Sequence, residues 1–84
     1  MEISGKVAVI TGGAGGIGMA LARRFLQGNA AAVVIADLDE ARVRQAAADI
    51  GATGIACDVT SESSINELID AAQSAHGPVD IFCS

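Results

Sequence analysis

Five glycines fall within the seven positions from Gly12 to Gly18, and two aspartates, Asp37 and Asp58, follow short apolar runs further on. These are the residues whose types and spacing can do chemistry on a ligand. Val7 to Ile10 run straight into the glycines, and a helical pattern starts directly after them. Strand, glycine turn and helix in that order suit a dinucleotide pyrophosphate. Glycines let the backbone turn sharply and approach the phosphates, and the helix N-terminus offers free N–H groups and a positive dipole end. Gly13, Gly15 and Gly18 satisfy the G-x-G-x-x-G spacing in that context.

Asp37 ends the second apolar run, nineteen positions after Gly18. A carboxylate there can accept hydrogen bonds from both hydroxyls of an adenosine ribose. A 2′-phosphate would meet its negative charge, so NAD is expected over NADP. The competing role is an ordinary N-cap, since Asp37-Leu38-Asp39-Glu40 holds several caps. Arg42 is the nearby residue able to weaken the NAD preference, and a surface role on its helix is expected for it. Asp58 is open on its residues alone: an acid closing a strand binds a ligand or caps the next helix.

The elements that position these residues alternate with little linker. Strands are expected at Lys6–Thr11, Ala32–Asp37, Gly54–Asp58 and Val79–Cys83. Helices are expected at Gly16–Gln27, Asp39–Ile50 and Ser61–Ala75. Ile17, Leu21 and Phe25 stripe the first helix, with Gly28 as its stop. Val43, Ala46, Ala47 and Ile50 stripe the second, closed by Gly51. Ile65, Leu68, Ile69 and Ala72 stripe the third, with Ser61 as cap and Gly77-Pro78 as breaker. Arg23, Arg24 and Asp80 read as solvated, and His76 as compensating a helix C-terminal dipole.

Three strand-plus-helix units and a fourth strand imply an α/β chain, a Rossmann-type doubly wound parallel sheet. In that winding the strands lie in the order 3-2-1-4, with the first two helices on one face and the third on the other. Ligands bind where the winding reverses, outside the carboxyl ends of the strands. Cys57 and Cys83 would then stand three strand spacings apart, roughly 14 Å. A disulfide needs Cα atoms within about 7 Å, so both read as small apolar residues.

Composition narrows the function classes. The chain has 84 residues, is 51% apolar and carries a formal net charge of −5. There is no basic run, and Lys6 is the only lysine, which argues against a nucleic-acid partner. No apolar stretch approaches a membrane span, and a cytoplasmic location is expected. The two cysteines suggest neither a disulfide scaffold nor a metal site.

Thr11-Gly12-Gly13-Ala14-Gly15-Gly16-Ile17-Gly18 resembles the Thr-Gly-x-x-x-Gly-x-Gly signature of the classical short-chain dehydrogenases/reductases. It also fits the Thr-Gly-x-x-Gly-x-x-Gly of their extended branch. Ile35-Ala36-Asp37-Leu38-Asp39, Cys57-Asp58-Val59-Thr60 and Gly77-Pro78-Val79-Asp80-Ile81 resemble the classical group, and the similarity runs over the whole chain. The resemblance implies that Gly12, Gly16 and Gly18 shape the pyrophosphate turn and that Asp37 holds the adenosine ribose. It implies that Asp58 contacts the adenine amino group with Val59 beside it. Ile17 and Leu38 complete the cofactor-binding set expected from it.

Members of that family continue strand 4 into Asn-Asn-Ala-Gly and supply a catalytic Ser and a Tyr-x-x-x-Lys pair much further on. Here Ser84 stands where the first of those asparagines would fall, and there is no tyrosine. In the family the tyrosine is the general acid/base of hydride transfer to or from a carbonyl. Residues 1–84 are therefore expected to be the N-terminal part of one dinucleotide-binding domain, inactive by themselves. The parent is expected to be an NAD-dependent oxidoreductase interconverting an alcohol and a ketone, a homo-oligomer when complete. The alternatives are a stand-alone NAD-binding module, or another glycine-turn enzyme such as a flavoprotein or a methyltransferase.

Overall fold

Seven elements alternate along residues 2–84, the part of the chain that the computed structural model describes. They are β1 (Val7–Thr11), α1 (Gly16–Gln27), β2 (Ala32–Asp37), α2 (Glu40–Ile50), β3 (Thr53–Ala56), α3 (Glu62–His76) and β4 (Ile81–Cys83). The strands form one parallel sheet in the order β3-β2-β1-β4. Val9 lies beside Val34 on one side and Phe82 on the other, and Ala36 lies beside Ile55. All four strands therefore end at the same edge, which is where the glycine turn begins.

Strand alternation divides the core into two layers. Ala8, Ile10, Val33 and Ile35 face Ala22 and Phe25 of α1 and Val43 and Ala47 of α2. Val9, Val34 and Ala36 face Leu68 and Ala72 of α3, with Cys57 closing that layer. Both helix-covered faces need apolar residues at consecutive positions, which is why β1 and β2 read as unbroken apolar runs. Each fully buried Val, Leu or Ile contributes about 1.5–3 kcal/mol relative to exposure.

The stripes of α2 and α3 hold, and in α1 Phe25 and the half-buried Leu21 face the core as expected, but Ile17 does not. Ala22 and Phe25 are its buried residues, while Ile17 is 89% exposed. Ile17 sits in the first turn, at the rim beyond the sheet, where no core lies beneath it. Asp39 precedes α2 as its cap, its side chain accepting from the Arg42 N–H, and Ser61 caps α3 by accepting from the Ser64 N–H. Strand β3 ends at Ala56, so Asp58 lies in the loop beyond it and not on the strand. His76 ends α3 and its Nε2 lies 3.1 Å from Thr53 Oγ1, joining that helix to the start of β3. Cys57 and Cys83 are both free thiols.

Asp80 is more than a solvated acid. Its Oδ2 accepts from the Val7 N–H at 2.9 Å, and its own N–H donates to the Val7 carbonyl at 2.9 Å. That double bond pair starts the β1–β4 register, and β4 proper begins one residue later. Val7 is buried, so its N–H has little access to water. Asp80→Ala leaves that donor without its acceptor, and is expected to cost about 1–3 kcal/mol in urea unfolding. Hydrogen exchange at the Val7 amide should rise with it; unchanged protection would show that Asp80 does not hold the strand.

Candidate dinucleotide site

The site is built on the turn that joins β1 to α1. Gly12 has φ +69°, a left-handed conformation that disfavours any side chain. Gly13 is buried, and a Cβ there would lie 2.5 Å from Ile35 Cβ. At Gly18 an added Cβ would collide with the Gly12 carbonyl oxygen and with Gly13 Cα. The helix thus starts directly against the loop. Gly16 differs: a Cβ there meets nothing within 4 Å. The fold itself does not require a glycine at that position, and the space before it is open to a ligand.

The N-terminus of α1 stands apart from the other two. Its N-cap is Gly15, which supplies no side-chain acceptor, and its first turn has no acidic residue. By contrast α2 has Asp39 and Glu40, and α3 has Ser61 and Glu62. The first intrahelical bond runs from the Met19 N–H to the Gly15 carbonyl. The N–H groups of Gly16, Ile17 and Gly18 are left at the positive end of the helix dipole with no side-chain partner. An anion fits there. The backbone and its open cradle suit a pyrophosphate, the group that the strand–turn–helix pattern implies.

Two clefts flank Gly12. The first, about 210 Å³, is lined by Gly12, Asp37, Leu38, Cys57, Asp58, Val59 and Thr60. The second, about 190 Å³, lies between the ends of β1 and β4 and includes Thr11, Gly12, Ile17, Gly18, Cys83 and Ser84. The expected residues Gly12, Asp37, Leu38, Asp58 and Val59 thus meet at one cleft, and Gly12, Ile17 and Gly18 at the other. Gly16 lines neither, standing in open space at the start of α1. Leu38 is 72% exposed and Val59 55% exposed. Large apolar side chains held in the open at a cleft mouth offer flat surfaces to an aromatic base.

Asp37 is not the cap of α2, a task that falls to Asp39. Its Oδ2 accepts from the Ala14 N–H at 3.2 Å and its Oδ1 from the Leu38 N–H at 2.8 Å. The carboxylate is therefore fixed by backbone donors at the lip of the first cleft, with lone pairs remaining for a ligand hydroxyl. Asp58 likewise is not a helix cap, since Ser61 fills that role. Asp58 Oδ1 accepts from the Thr60 hydroxyl at 2.6 Å and from the Thr60 N–H at 3.0 Å. Those bonds, the hydroxyl's first, hold its carboxyl below the ordinary carboxylate value. The Ser64 hydroxyl accepts from the Asp58 N–H at 3.0 Å and donates to Cys57 Sγ, so that α3 braces the loop.

Arg42, expected on the helix surface, makes a contact that its spacing does not signal. Arg42 does not simply lie on the helix surface: its Nη2 donates to the Ala14 carbonyl at 3.3 Å, reaching from α2 to the glycine turn. Only its position on the first turn of the helix after Asp37 could have signalled that. No group of His, Cys, Asp and Glu arranged to hold a metal occurs among the described residues. No helix there is long and apolar enough to cross a membrane.

The short chain dehydrogenase family model matches residues 6–84. The chain is 39% identical to (-)-isopiperitenol/(-)-carveol dehydrogenase, mitochondrial, of Mentha piperita, over 99% of this chain and 33% of that protein. It is 42% identical to borneol dehydrogenase, mitochondrial, of Lavandula x intermedia, over 96% and 31% respectively. Among solved structures, a 3-ketoacyl-(acyl-carrier-protein) reductase from Brucella melitensis, complexed with NADH, superposes with a TM-score of 0.88 at 41% identity. That likeness covers 95% of this chain and 34% of the reductase. The chain spans about a third of the length of the curated relatives it matches. It belongs to the short-chain dehydrogenase family, with that family's NAD(P)-binding Rossmann region. These likenesses do not favour a flavoprotein or a methyltransferase.

The Asp58 turn gives a pH test. A depressed folded pKa means that the turn's contribution to stability is present at neutral pH and is lost as the pH falls through that value. Thr60→Val removes the hydroxyl and keeps the backbone donor. NMR titration of the Asp58 side-chain carboxyl should then show its pKa rising toward the ordinary carboxylate value; an unchanged midpoint would sever the link.

Proposed function

We propose that residues 1–84 are the cofactor-binding N-terminal part of an NAD-dependent oxidoreductase that interconverts an alcohol and a ketone. The observation that carries this reading is the α1 N-terminus. It is free of any side-chain cap and begins against a left-handed Gly12, between two clefts, one of them edged by Asp37 and Asp58. The backbone N–H groups of Gly16, Ile17 and Gly18 would hold the pyrophosphate. Asp37 would accept from the adenosine ribose, and Asp58 from the adenine amino group, with Leu38 and Val59 against the base. Thr11 and Ser84, on the β1–β4 side, would face the other half of the dinucleotide.

The chemistry supplied by the bound dinucleotide is hydride transfer. This segment's share is to bind, orient and select. The preference for NAD rests on the Asp37 carboxylate, which a 2′-phosphate would approach at close range. Support for an oxidoreductase comes from the two dehydrogenases and the NADH-bound reductase that the chain resembles. We further propose that proton transfer needs groups outside this segment. The segment has no tyrosine, and its single lysine, Lys6, precedes β1 at the end of the strand away from the glycine turn.

Gly16 allows binding to be separated from folding. A methyl at Gly16 touches no protein atom within 4 Å, so Gly16→Ala should leave the melting temperature of the intact gene product unchanged. In the proposed complex that methyl stands against the pyrophosphate, and calorimetric affinity for NADH should fall about tenfold or more. Gly18→Ala should instead destabilise the protein, by about 1–3 kcal/mol for an overpacked contact. Undiminished NADH affinity in Gly16→Ala would contradict the site.

A further inference from the structure

Ser64, half-buried in the first turn of α3, is bonded in three directions. Its Oγ accepts from the Asp58 N–H at 3.0 Å and donates to Cys57 Sγ at 3.6 Å, and its own N–H donates to Ser61 Oγ at 3.3 Å. Ser61 is the N-cap of α3, so Ser64 stands at the third helical position. A Glu or Gln at that position commonly reaches back to the N-cap amide. In this chain the Ser61 N–H is already taken by the Asp58 carbonyl at 3.1 Å, and the shorter Ser64 hydroxyl turns to the Asp58 N–H instead. The hydroxyl thus uses its proton and a lone pair on neighbouring residues, which fixes its orientation.

The stretch that Ser64 holds is one wall of the first cleft. Cys57, Asp58, Val59 and Thr60 line that cleft and belong to no strand or helix. Thr60 orients the Asp58 carboxylate from two residues on, and that contact travels with the loop. Attachment to the rest of the fold comes from elsewhere. The Cys57 N–H donates to the Asp37 carbonyl at 2.9 Å, and the buried Cys57 packs in the layer of Leu68 and Ala72. Ser64 supplies a second tie, from α3, at Asp58 itself. A hydrogen bond is lost when its acceptor moves by about 1 Å, so what Asp58 can recognise depends on where this loop stands.

We propose that Ser64 is a positioning residue of the dinucleotide site, holding the Asp58 loop where its carboxylate selects a base that carries an amino group. The inference rests on the dinucleotide reading given above, with Asp58 accepting from the adenine amino group. Adenine presents an N–H donor to that carboxylate. Hypoxanthine, with a carbonyl in place of the amino group, presents an acceptor there, and two facing acceptors make no bond. Ser64 stands behind the loop and acts through Asp58, so its effect falls on the difference between the two bases.

The test is calorimetric titration of the intact gene product with NADH and with its hypoxanthine analogue, for the parent, Ser64→Ala and Ser64→Thr. The parent should prefer NADH by about tenfold or more, the loss of one charge-assisted bond. Ala is a good helix former, so Ser64→Ala should keep α3, and its preference should fall below about threefold through weaker binding of NADH. Ser64→Thr keeps the hydroxyl and should keep the preference. Equal weakening of both ligands in Ser64→Ala would overturn the proposal, because Ser64 would then only brace the fold. An unchanged preference would overturn it as well, as would a loss that Ser64→Thr shares. Should Ser64→Ala not fold, the parent still decides. Hydrogen exchange at its Asp58 amide should slow more with NADH than with the analogue, and equal slowing would overturn the proposal. If the parent binds neither dinucleotide, or both alike, the reading of the site fails and the inference goes with it. If the parent prefers NADH and weakens with Gly16→Ala, while Ser64→Ala keeps the preference, only the inference fails.

Discussion

Helix α1 begins so close beneath the end of β1 that no side chain fits between them. A single methyl at Gly18 would strike the Gly12 carbonyl, and one at Gly13 would strike Ile35. That contact sets the direction of α1, and through it the placement of everything at the carboxyl edge of the sheet. It also explains why α1 has no side-chain cap. A Ser, Asp or Asn at its start would fill the space in front of the first-turn amides, and the sequence places Gly15 there. The capping energy that α2 and α3 draw from Asp39 and Ser61, about 1 kcal/mol each, is forgone at α1. What remains is a positive helix end facing outward.

The acids around this turn are placed by the strands, and each has its own backbone support. Parallel register brings the ends of β1, β2 and β3 to one edge, so that Asp37 follows directly on β2 and Asp58 lies just past β3. Asp37 is tied to the turn through the Ala14 N–H, and Asp58 is tied to its own loop through Thr60. A carboxylate fixed by backbone donors is oriented before any ligand arrives, which lowers the ordering cost of binding. The reach of Arg42 to Ala14 completes a connection from β2 through the turn to α2.

Much of this arrangement is legible in the sequence, because the two signals that dominate it are local. Buried parallel strands must be apolar throughout, and β1 and β2 are; the winding 3-2-1-4 follows from element order and handedness. The glycine spacing and Asp37 likewise pick out residues that the fold brings to one cleft. The misreadings have a common cause in interactions that periodicity does not carry. Ile17 continues the stripe of α1 by spacing, yet lies beyond the rim of the sheet where there is no core to meet. Asp80 looks solvated, but its carboxylate finds the Val7 amide, 73 residues away in sequence. Arg42 looks like a surface charge, and only the reach of its side chain from the first turn of α2 brings it to Ala14. Among the glycines, spacing alone could not separate Gly13 and Gly18, needed by packing, from Gly16, which packing leaves unconstrained.

The most direct test of the central claim is a map of backbone amide shifts as NADH is added to the isotopically labelled intact gene product. If the uncapped α1 N-terminus is the pyrophosphate cradle, the Gly16, Ile17 and Gly18 amides should move first and furthest. Those of Leu38 and Val59, at the first cleft, should follow. The turns at the opposite edge of the sheet, around Gly5, Gly51 and Gly77, should stay still. Shifts confined to that opposite edge, or none at the start of α1, would contradict the account.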